Sequence, residues 1–267
     1  MRPERIGARA AKAFYLTAIT LFLIGPLLIV GVVAFTSASF VSFPPPGYSL
    51  RWISKVVHDG EFMRALMNSL LVGVSAVLIS SALAIPAAIA LADRRDAWGR
   101  ATVTFLLAPL SVPSLILALG LLFFLSAIGL GNTLAGLLLA HGLVTFPYVL
   151  RIVLAVLFGM PRSYMEAAYC LGATPLRAFL RILLPYITPG LVAGGLFAFL
   201  ISFDEVALSL LLTNASTATL PVTILNYLVH NYDPAVAAIS LVKMAVVFTV
   251  LLLADRFFGL DRLILPR

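Results

Sequence analysis

The chain has 267 residues, of which 62% are hydrophobic and 11% are charged, and its formal net charge is +7. Soluble domains are about half apolar and about a quarter charged, so this composition excludes an ordinary soluble domain and predicts a polytopic membrane protein. The single cysteine, Cys170, excludes an internal disulfide. No change in composition marks off a soluble part, and we expect one membrane domain over residues 1–267.

Six apolar segments are long enough to cross a hydrocarbon core of about 30 Å, which takes about 20 helical residues. They predict an all-α fold with six spans, over about 14–35, 65–92, 101–128, 133–158, 190–212 and 235–254. The first apolar run is longer than the core of a cleaved signal peptide, so we interpret it as a span. Residues 36–64 and 213–234 are predicted to be loops, with Tyr48 and Trp52 at the membrane interface.

Polar or helix-breaking residues lie inside several predicted spans. Pro109 and Pro113 fall in the third span, and His141 falls in the fourth. No second His, Cys or carboxylate lies near His141 at the spacing of metal ligands, so we interpret His141 as a hydrogen-bonded interior residue. We therefore predict no metal site.

The Lys and Arg residues are unevenly divided between the two ends of the predicted spans. Fourteen of them flank the N-terminus, the second-to-third and fourth-to-fifth connections and the C-terminal tail, whereas three lie in the first loop. The fourteen include Arg2, Arg94, Arg95, Arg100, Arg262 and Arg267, and the three are Arg51, Lys55 and Arg64. The positive-inside rule then predicts that both termini are cytoplasmic. Membrane topology accounts for the basic charge, and we expect no nucleic-acid partner.

The fourth-to-fifth connection contains a two-helix hairpin at residues 163–185. Ser163 and Glu166 have capping-box spacing, which predicts a helix start at Ser163. Gly172 suits the left-handed conformation that ends a helix, and Thr174 with Pro175 predicts an N-cap and a first-turn proline for a second helix. Pro185 and Pro189 are predicted to end that helix. Each helix would be about 15 Å long, too short to cross a membrane.

The same hairpin carries a family resemblance in nine of its residues. They are Glu166, Ala167, Ala168, Gly172, Ala173, Phe179, Ile182, Leu184 and Pro185. With their spacing, they resemble the EAA loop of the membrane subunits of binding-protein-dependent ABC importers. The resemblance implies a type I ABC importer permease fold whose hairpin docks on an ATP-hydrolysing subunit. A corner that only joins two spans is the structural alternative, in which Glu166 is a capping residue.

Charged residues lie within the last two predicted spans. The fifth contains Ser202, Phe203, Asp204 and Glu205, which we take as the candidate substrate-pathway residues, and the sixth contains Lys243. Carboxylates within a membrane usually face a protein interior or a wet cavity. We expect one carboxylate to pair with Lys243 while the other lines a substrate pathway, although a purely structural ion pair is the alternative. The SFDEV and YSLRW strings also resemble the spermidine/putrescine branch of importer permeases.

The resemblance implies a non-enzymatic transport subunit that passes a small solute, with a polyamine or related organic cation favoured. No G-x-x-x-x-G-K-[ST] phosphate loop is present, so we expect no cofactor on this chain, and ATP with Mg on a partner. The implied partners are cytoplasmic ATP-binding subunits, an extracytoplasmic solute-binding protein and a second, non-identical permease subunit in the bacterial inner membrane, in contact with lipid.

The sequence leaves a homodimer and a different solute open. A secondary transporter with a charged relay is one rival, and a helix-turn-helix regulator is a weaker one because its second helix is mostly apolar.

Overall fold

The computed structural model describes residues 3–94 and 96–258, and it is helical along most of this length. Arg2, Arg95, Arg262 and Arg267, which contribute to the predicted charge asymmetry, lie outside the described residues. The α-helices are α1 (Pro3–Ala34), α2 (Arg51–His58), α3 (Gly60–Ala92), α4 (Ala97–Leu107), α5 (Ser114–Ala127), α6 (Leu134–Phe158), α7 (Ser163–Cys170), α8 (Pro175–Ala178), α9 (Leu184–Asp204), α10 (Ala207–Leu212), α11 (Leu220–His230) and α12 (Ala235–Phe258).

The predicted all-α membrane fold is confirmed. Within the described residues, five helices are long and apolar enough to cross a membrane, and a bent pair, α4 with α5, raises the number to six. The predicted fourth span, 133–158, coincides with α6, whose N-cap Thr133 accepts a hydrogen bond from the Gly136 N–H. Helices α3 and α12 contain the second and sixth predicted spans and extend beyond them at one end. Helix α1 begins before the first predicted span and contains all of it except Phe35.

The chain forms two compact units. The first contains Met1–Met63 and Ile224–Val246, and the second contains Arg64–Thr223 and Val247–Arg267. In the second unit, α6 and α9 pack closely along their length. The close approach of α6 and α9 depends on small residues, since a Cβ at Gly194 would lie 3.1 Å from the Cα of Val149. Their interface contains the buried residues Val149, Leu150, Val153, Ile187 and Ala198.

The third predicted span, 101–128, is not a single helix but a bent pair. Helix α4 ends at Leu107, a 3₁₀ turn follows over Ala108–Ser111, and α5 begins at Ser114 after a bend of 105°. Pro109 lies in the 3₁₀ turn and Pro113 takes the N-cap position of α5. Neither proline has an N–H to donate to the preceding turn, so the α-helical ladder is interrupted where both occur.

The predicted bounds of the fifth span, 190–212, are also wrong at both ends. From Pro175 the chain stays helical to Asp204, through α8, a π-helical segment over Phe179–Leu183, and α9. Pro185 therefore lies in the first turn of α9 and does not end a helix. The wider π turn before it leaves room for a ring that would otherwise clash with a carbonyl four residues earlier. At the other end, Glu205 and Val206 separate α9 from α10.

Both predicted loops contain helices, namely α2 in 36–64 and α11 in 213–234. Tyr48 is exposed, whereas Trp52 is 7% exposed and packs inside the protein. Their position at the membrane interface stays a prediction. The Trp52 indole Nε1 donates to the Ala38 carbonyl at 3.1 Å, and Thr36 pairs with Tyr48 in an isolated bridge. The segment before α2 folds back on that helix and covers the indole, which a linear pattern does not reveal.

Candidate coupling hairpin and transport pathway

The hairpin over 163–185 has the predicted turn. Helix α7 ends at Cys170, and Gly172 has a φ of +79°, the left-handed conformation that glycine adopts without a Cβ clash. The Thr174 side chain then accepts a hydrogen bond from the Arg177 N–H, with Pro175 at the first helical position of α8. Local chemistry on both sides of Gly172 therefore sets the turn.

The predicted capping box is wrong, although α7 does begin at Ser163. Arg162 occupies the N-cap position with helical dihedral angles, and no side chain caps the helix. The Met165 and Glu166 N–H groups bond to the Arg162 carbonyl. Ser163 is thus already inside the first turn, where its hydroxyl is not placed to accept from the N–H three residues ahead.

Two buried alanines hold the hairpin against the rest of the second unit. Ala168 on α7 and Ala178 on α8 are both buried, and the rings of Tyr164 and Tyr186 meet edge to face with centroids 6.3 Å apart. The turn between the helices is open, since Leu171 is 89% exposed and Leu176 is 67% exposed. The hairpin therefore has an anchored face and an outward apolar edge.

The nine residues that carry the EAA resemblance divide among different environments. Glu166, Ala167, Gly172 and Pro185 are exposed, whereas Ala168 is buried. The remaining four are half-buried: Ala173, Phe179, Ile182 and Leu184. The exposed members can meet a partner directly, and the buried and half-buried ones hold the hairpin in shape.

Glu166 also lines a cavity between α7 and the ends of α3 and α6. The cavity volume is about 530 Å³, and its wall includes Asp93, Met160, Arg162 and Tyr169. An Arg162 guanidinium nitrogen lies 3.2 Å from an Asp93 carboxylate oxygen. Both side chains are largely exposed, so this ion pair adds little stability, about 0–1 kcal/mol.

The predicted pathway residues lie where α9 stops. Asp204 is its last residue and is exposed. Glu205 is extended, and its carboxylate oxygen accepts hydrogen bonds from the N–H groups of Ala207 at 3.0 Å and Leu208 at 3.2 Å. These are free N–H groups of the first turn of α10, so Glu205 caps α10 and is not part of a continuous span. The pairing of a carboxylate with Lys243 stays a prediction.

The other two predicted pathway residues are buried in the protein. Phe203 stacks on Phe199 with ring centroids 5.3 Å apart. The Ser202 hydroxyl lies 2.8 Å from Nδ1 of His141, and the Ser209 hydroxyl lies 3.2 Å from Nε2 of the same ring. The prediction of a hydrogen-bonded interior His141 is confirmed, since this residue is 1% exposed.

His141 joins α9 to α10 across the helix break. Ser202 precedes the break and Ser209 follows it, and both are buried against α6. Sequence reasoning found the histidine but not its partners, which lie 61 and 68 residues away. It also missed the π-helical segment. The only sequence signal for that segment was Pro185 within an otherwise apolar helical pattern.

Comparison with known proteins identifies the family. Residues 80–259, more than half of the chain, match the family described as "Binding-protein-dependent transport system inner membrane component". Among solved structures, the fold is similar to a bacterial ABC transporter involved in the import of the acidic polysaccharide alginate. That similarity has a TM-score of 0.76 at 18% sequence identity and covers 97% of this chain and 98% of the other.

Two similar curated relatives are polyamine permeases. The putrescine transport system permease protein PotI of Escherichia coli (strain K12) is 30% identical over 226 residues, which cover 82% of this chain and 80% of PotI. The spermidine/putrescine transport system permease protein PotC of the same strain is 26% identical over 254 residues, 95% of this chain and 96% of PotC. The chain is therefore a member of the binding-protein-dependent transport system inner membrane component family, a permease subunit of an ABC importer similar to its polyamine branch.

Proposed function

We propose that this permease subunit forms half of the translocation pathway for a polyamine or a related organic cation, and that residues 163–185 couple the pathway to a separate ATP-hydrolysing subunit. The names of PotI and PotC support the solute class. The fold alone does not choose a solute, since the alginate importer has it as well. Asp204 and Glu205 provide carboxylates at the end of α9 that suit a cation.

The coupling proposal is carried by one observation, the exposed apolar turn of the hairpin. Leu171 and Leu176 extend outward beside Gly172, while Ala168 and Ala178 are buried on the other side. An exposed apolar edge on an anchored element suits a protein interface. Force applied there would pass into α9 without a loop between them, because the helix runs on from Pro175 to Asp204.

The proposed assembly follows from this role. ATP and Mg bind on cytoplasmic subunits that dock on the hairpin, and this chain hydrolyses nothing. A solute-binding protein delivers the cation from outside, and a second permease subunit, proposed to be non-identical, completes the pathway. The chain lies in the bacterial inner membrane with both termini and the hairpin in the cytoplasm, as the distribution of Lys and Arg favours.

Site-directed crosslinking tests the coupling proposal. In a Cys170→Ser background, Ala167→Cys and Ala168→Cys would be labelled with a photoreactive maleimide in membranes that contain the co-expressed ATP-binding subunit. Ala167 is exposed and Ala168 is buried, so we expect capture of that subunit from position 167 and much less from position 168. Failure at position 167, or equal capture at both, would contradict the proposed docking face.

Uptake into proteoliposomes tests the transport proposal. Vesicles that contain the complete importer are expected to accumulate labelled putrescine only with internal ATP, and to continue when the proton gradient is collapsed. Accumulation without ATP that disappears with the proton gradient would instead identify an ion-coupled carrier. A neutral diol of the same length serves as the solute control.

A further inference from the structure

An ammonium group occupies a cage of aromatic and acidic side chains in the first unit. Lys55 on α2 places its Nζ 2.8 Å from the Tyr227 hydroxyl and 2.9 Å from an Asp233 carboxylate oxygen. The same nitrogen lies 5.2 Å from the centroid of the Trp52 ring and 5.4 Å from that of Tyr227. Both distances are within the range of cation–π attraction, about 6 Å.

Contacts that do not involve Lys55 hold the walls of this cage. The Trp52 ring is buried and tied to the Ala38 carbonyl through its indole nitrogen. The Tyr227 ring meets Phe62 edge to face at 5.2 Å, and its hydroxyl donates to the Asp233 carboxylate at 2.8 Å. The other Asp233 oxygen accepts from the Ala235 N–H. The cage is therefore preorganised, and Lys55 enters it on a flexible four-carbon chain that is 43% exposed.

The electrostatics of the cage favour a cation. Hydrogen bonds with Tyr227 and Asp233 raise the pKa of the Lys55 ammonium above its ordinary value of 10.5. Burial raises the pKa of Asp233, but hydrogen bonds from Lys55, Tyr227 and the Ala235 N–H outweigh it, and the net pKa lies below 3.8. The carboxylate is thus ionised at neutral pH and matches a positive charge.

An apolar groove runs from the same carboxylate. Its volume is about 570 Å³, Asp233 lies in its wall, and most of the remaining wall is apolar, including Val33, Phe40, Leu228 and Val236. A methylene chain fits such a wall while its terminal ammonium meets the carboxylate, and the polar wall residues Asn231 and Ser240 offer oxygen atoms to a second ammonium. Charge complementarity at Asp233 therefore points to an alkylammonium as the occupant of the groove.

We propose that Trp52, Tyr227 and Asp233 form a binding site for the primary ammonium group of a small alkyldiamine, and that Lys55 is its internal occupant. The diamine displaces the Lys55 ammonium and takes over its hydrogen bonds, with its carbon chain in the groove. This inference rests on the proposed function for the identity of the solute. A tethered ammonium competes at an effective concentration in the millimolar range, so removal of Lys55 strengthens diamine binding.

Trp52 fluorescence provides the test. The chain has two tryptophans, so Trp98→Phe leaves Trp52 as the reporter. The full chain, in nanodiscs of phosphatidylglycerol without amine lipids, is titrated with 1,4-diaminobutane in the Lys55 form and as Lys55→Met. We expect the apparent Kd of Lys55→Met to be about tenfold lower, no response to 1,4-butanediol, and loss of binding in Lys55→Met with Asp233→Asn. Lys12→Met, which removes the same charge elsewhere, should match the Lys55 form.

Other outcomes would overturn the site. Lys55→Met that binds no tighter than the Lys55 form, or that binds equally well with Asp233→Asn, would reduce Lys55–Asp233 to a structural ion pair. A Trp52 response to phosphatidylethanolamine nanodiscs but not to the diamine would assign the cage to a lipid amine. If Lys55→Met fails to fold, Lys55→Gln is measured in its place. The binding assay needs no ATPase, so it can be separated from the test of the proposed function. If the diamine does not bind but ATP-driven uptake is intact, the proposed function stands and the site is wrong. If the diamine binds but ATP-driven uptake is absent, only the proposed transport function is overturned.

Discussion

The stretch from α7 to α10 contains two interruptions that are built in opposite ways. At Gly172 the chain turns through local chemistry, a left-handed glycine followed by the Thr174 cap, and the turn is exposed. At Glu205 the helix stops without a glycine or a proline, and His141 bonds to serines on both sides of the break. The first is set by neighbours in sequence, whereas the second is fixed by a residue from another helix.

This difference suits two roles in an importer. If residues 163–185 dock on a partner as proposed, an exposed, locally determined turn would keep its shape under that contact, and its side chains would remain available for it. A break fixed by buried hydrogen bonds moves only when α6, α9 and α10 move together. Substitutions at the break should therefore change the free energy of unfolding more than coupling, and those at the turn should do the reverse.

The largest expected effect is at the break, with His141→Leu. It would leave the buried hydroxyls of Ser202 and Ser209 without their imidazole partner, at a cost of about 1–3 kcal/mol for each that finds no replacement. The free energy of unfolding, measured with a denaturant in detergent micelles, should fall accordingly. His230→Leu is the matched control, because His230 is exposed and should change stability by about 0.5 kcal/mol or less. Equal effects of the two substitutions would contradict the structural role of His141.

The next effect is at the turn, with Gly172→Val. A β-branched residue in the left-handed region is strained by about 1–2 kcal/mol. If this strain opposes docking on the ATP-hydrolysing subunit, a cost of about 1–2 kcal/mol lowers the docked population about tenfold. We therefore expect ATP-driven uptake to fall about tenfold. Gly172→Asn is the control, since asparagine enters this conformation more readily, and it should retain more uptake. If the two variants transport equally well, the conformation of Gly172 is not needed for coupling.

A smaller effect is expected for the cap of α10. Glu205→Ala removes the acceptor of the Ala207 and Leu208 N–H groups, at a cost of about 1 kcal/mol in the free energy of unfolding. Glu205→Gln keeps a side-chain oxygen and should be closer to the parent protein. The two variants also separate capping from charge, because Glu205→Ala removes both and Glu205→Gln removes only the charge. Lower putrescine uptake by both variants would therefore support a pathway role for the carboxylate. Unchanged uptake by Glu205→Gln combined with Asp204→Asn would remove both residues from the pathway.

Double-mutant cycles test the comparison most sharply, because they measure only the interaction between two substitutions. His141→Leu combined with Ser209→Ala should show a coupling energy of about 0.5–3 kcal/mol, since the two residues share a hydrogen bond. His141→Leu combined with Gly172→Val should be additive within about 0.5 kcal/mol, because the buried break and the exposed turn are stabilised separately. Strong coupling in the second cycle would mean that the two interruptions form one element.

Prolines show how far a local pattern predicts this fold. Pro113 lies at the bend in the third span, as expected because its missing N–H interrupts the helical hydrogen bonds. Pro185, by contrast, lies inside a helix because a π-helical segment precedes it. Proline restricts the backbone without fixing the outcome, which depends on whether the preceding turn can widen. The predicted capping box at Ser163 failed for a related reason, since the helical conformation of Arg162 moved the serine into the first turn.

The sequence by itself determined the helical membrane class, the position of α6, and the turn at Gly172 with its Thr174 cap. It also carried the residues of the EAA resemblance. These depend on apolar run length and on chemistry within a few residues. Only the tertiary structure decided that the helix breaks at Glu205, that Trp52 is buried, and that Lys55 meets Tyr227 and Asp233. The physical reason is that each of these depends on contacts between segments distant in sequence, up to 178 residues for Lys55 and Asp233.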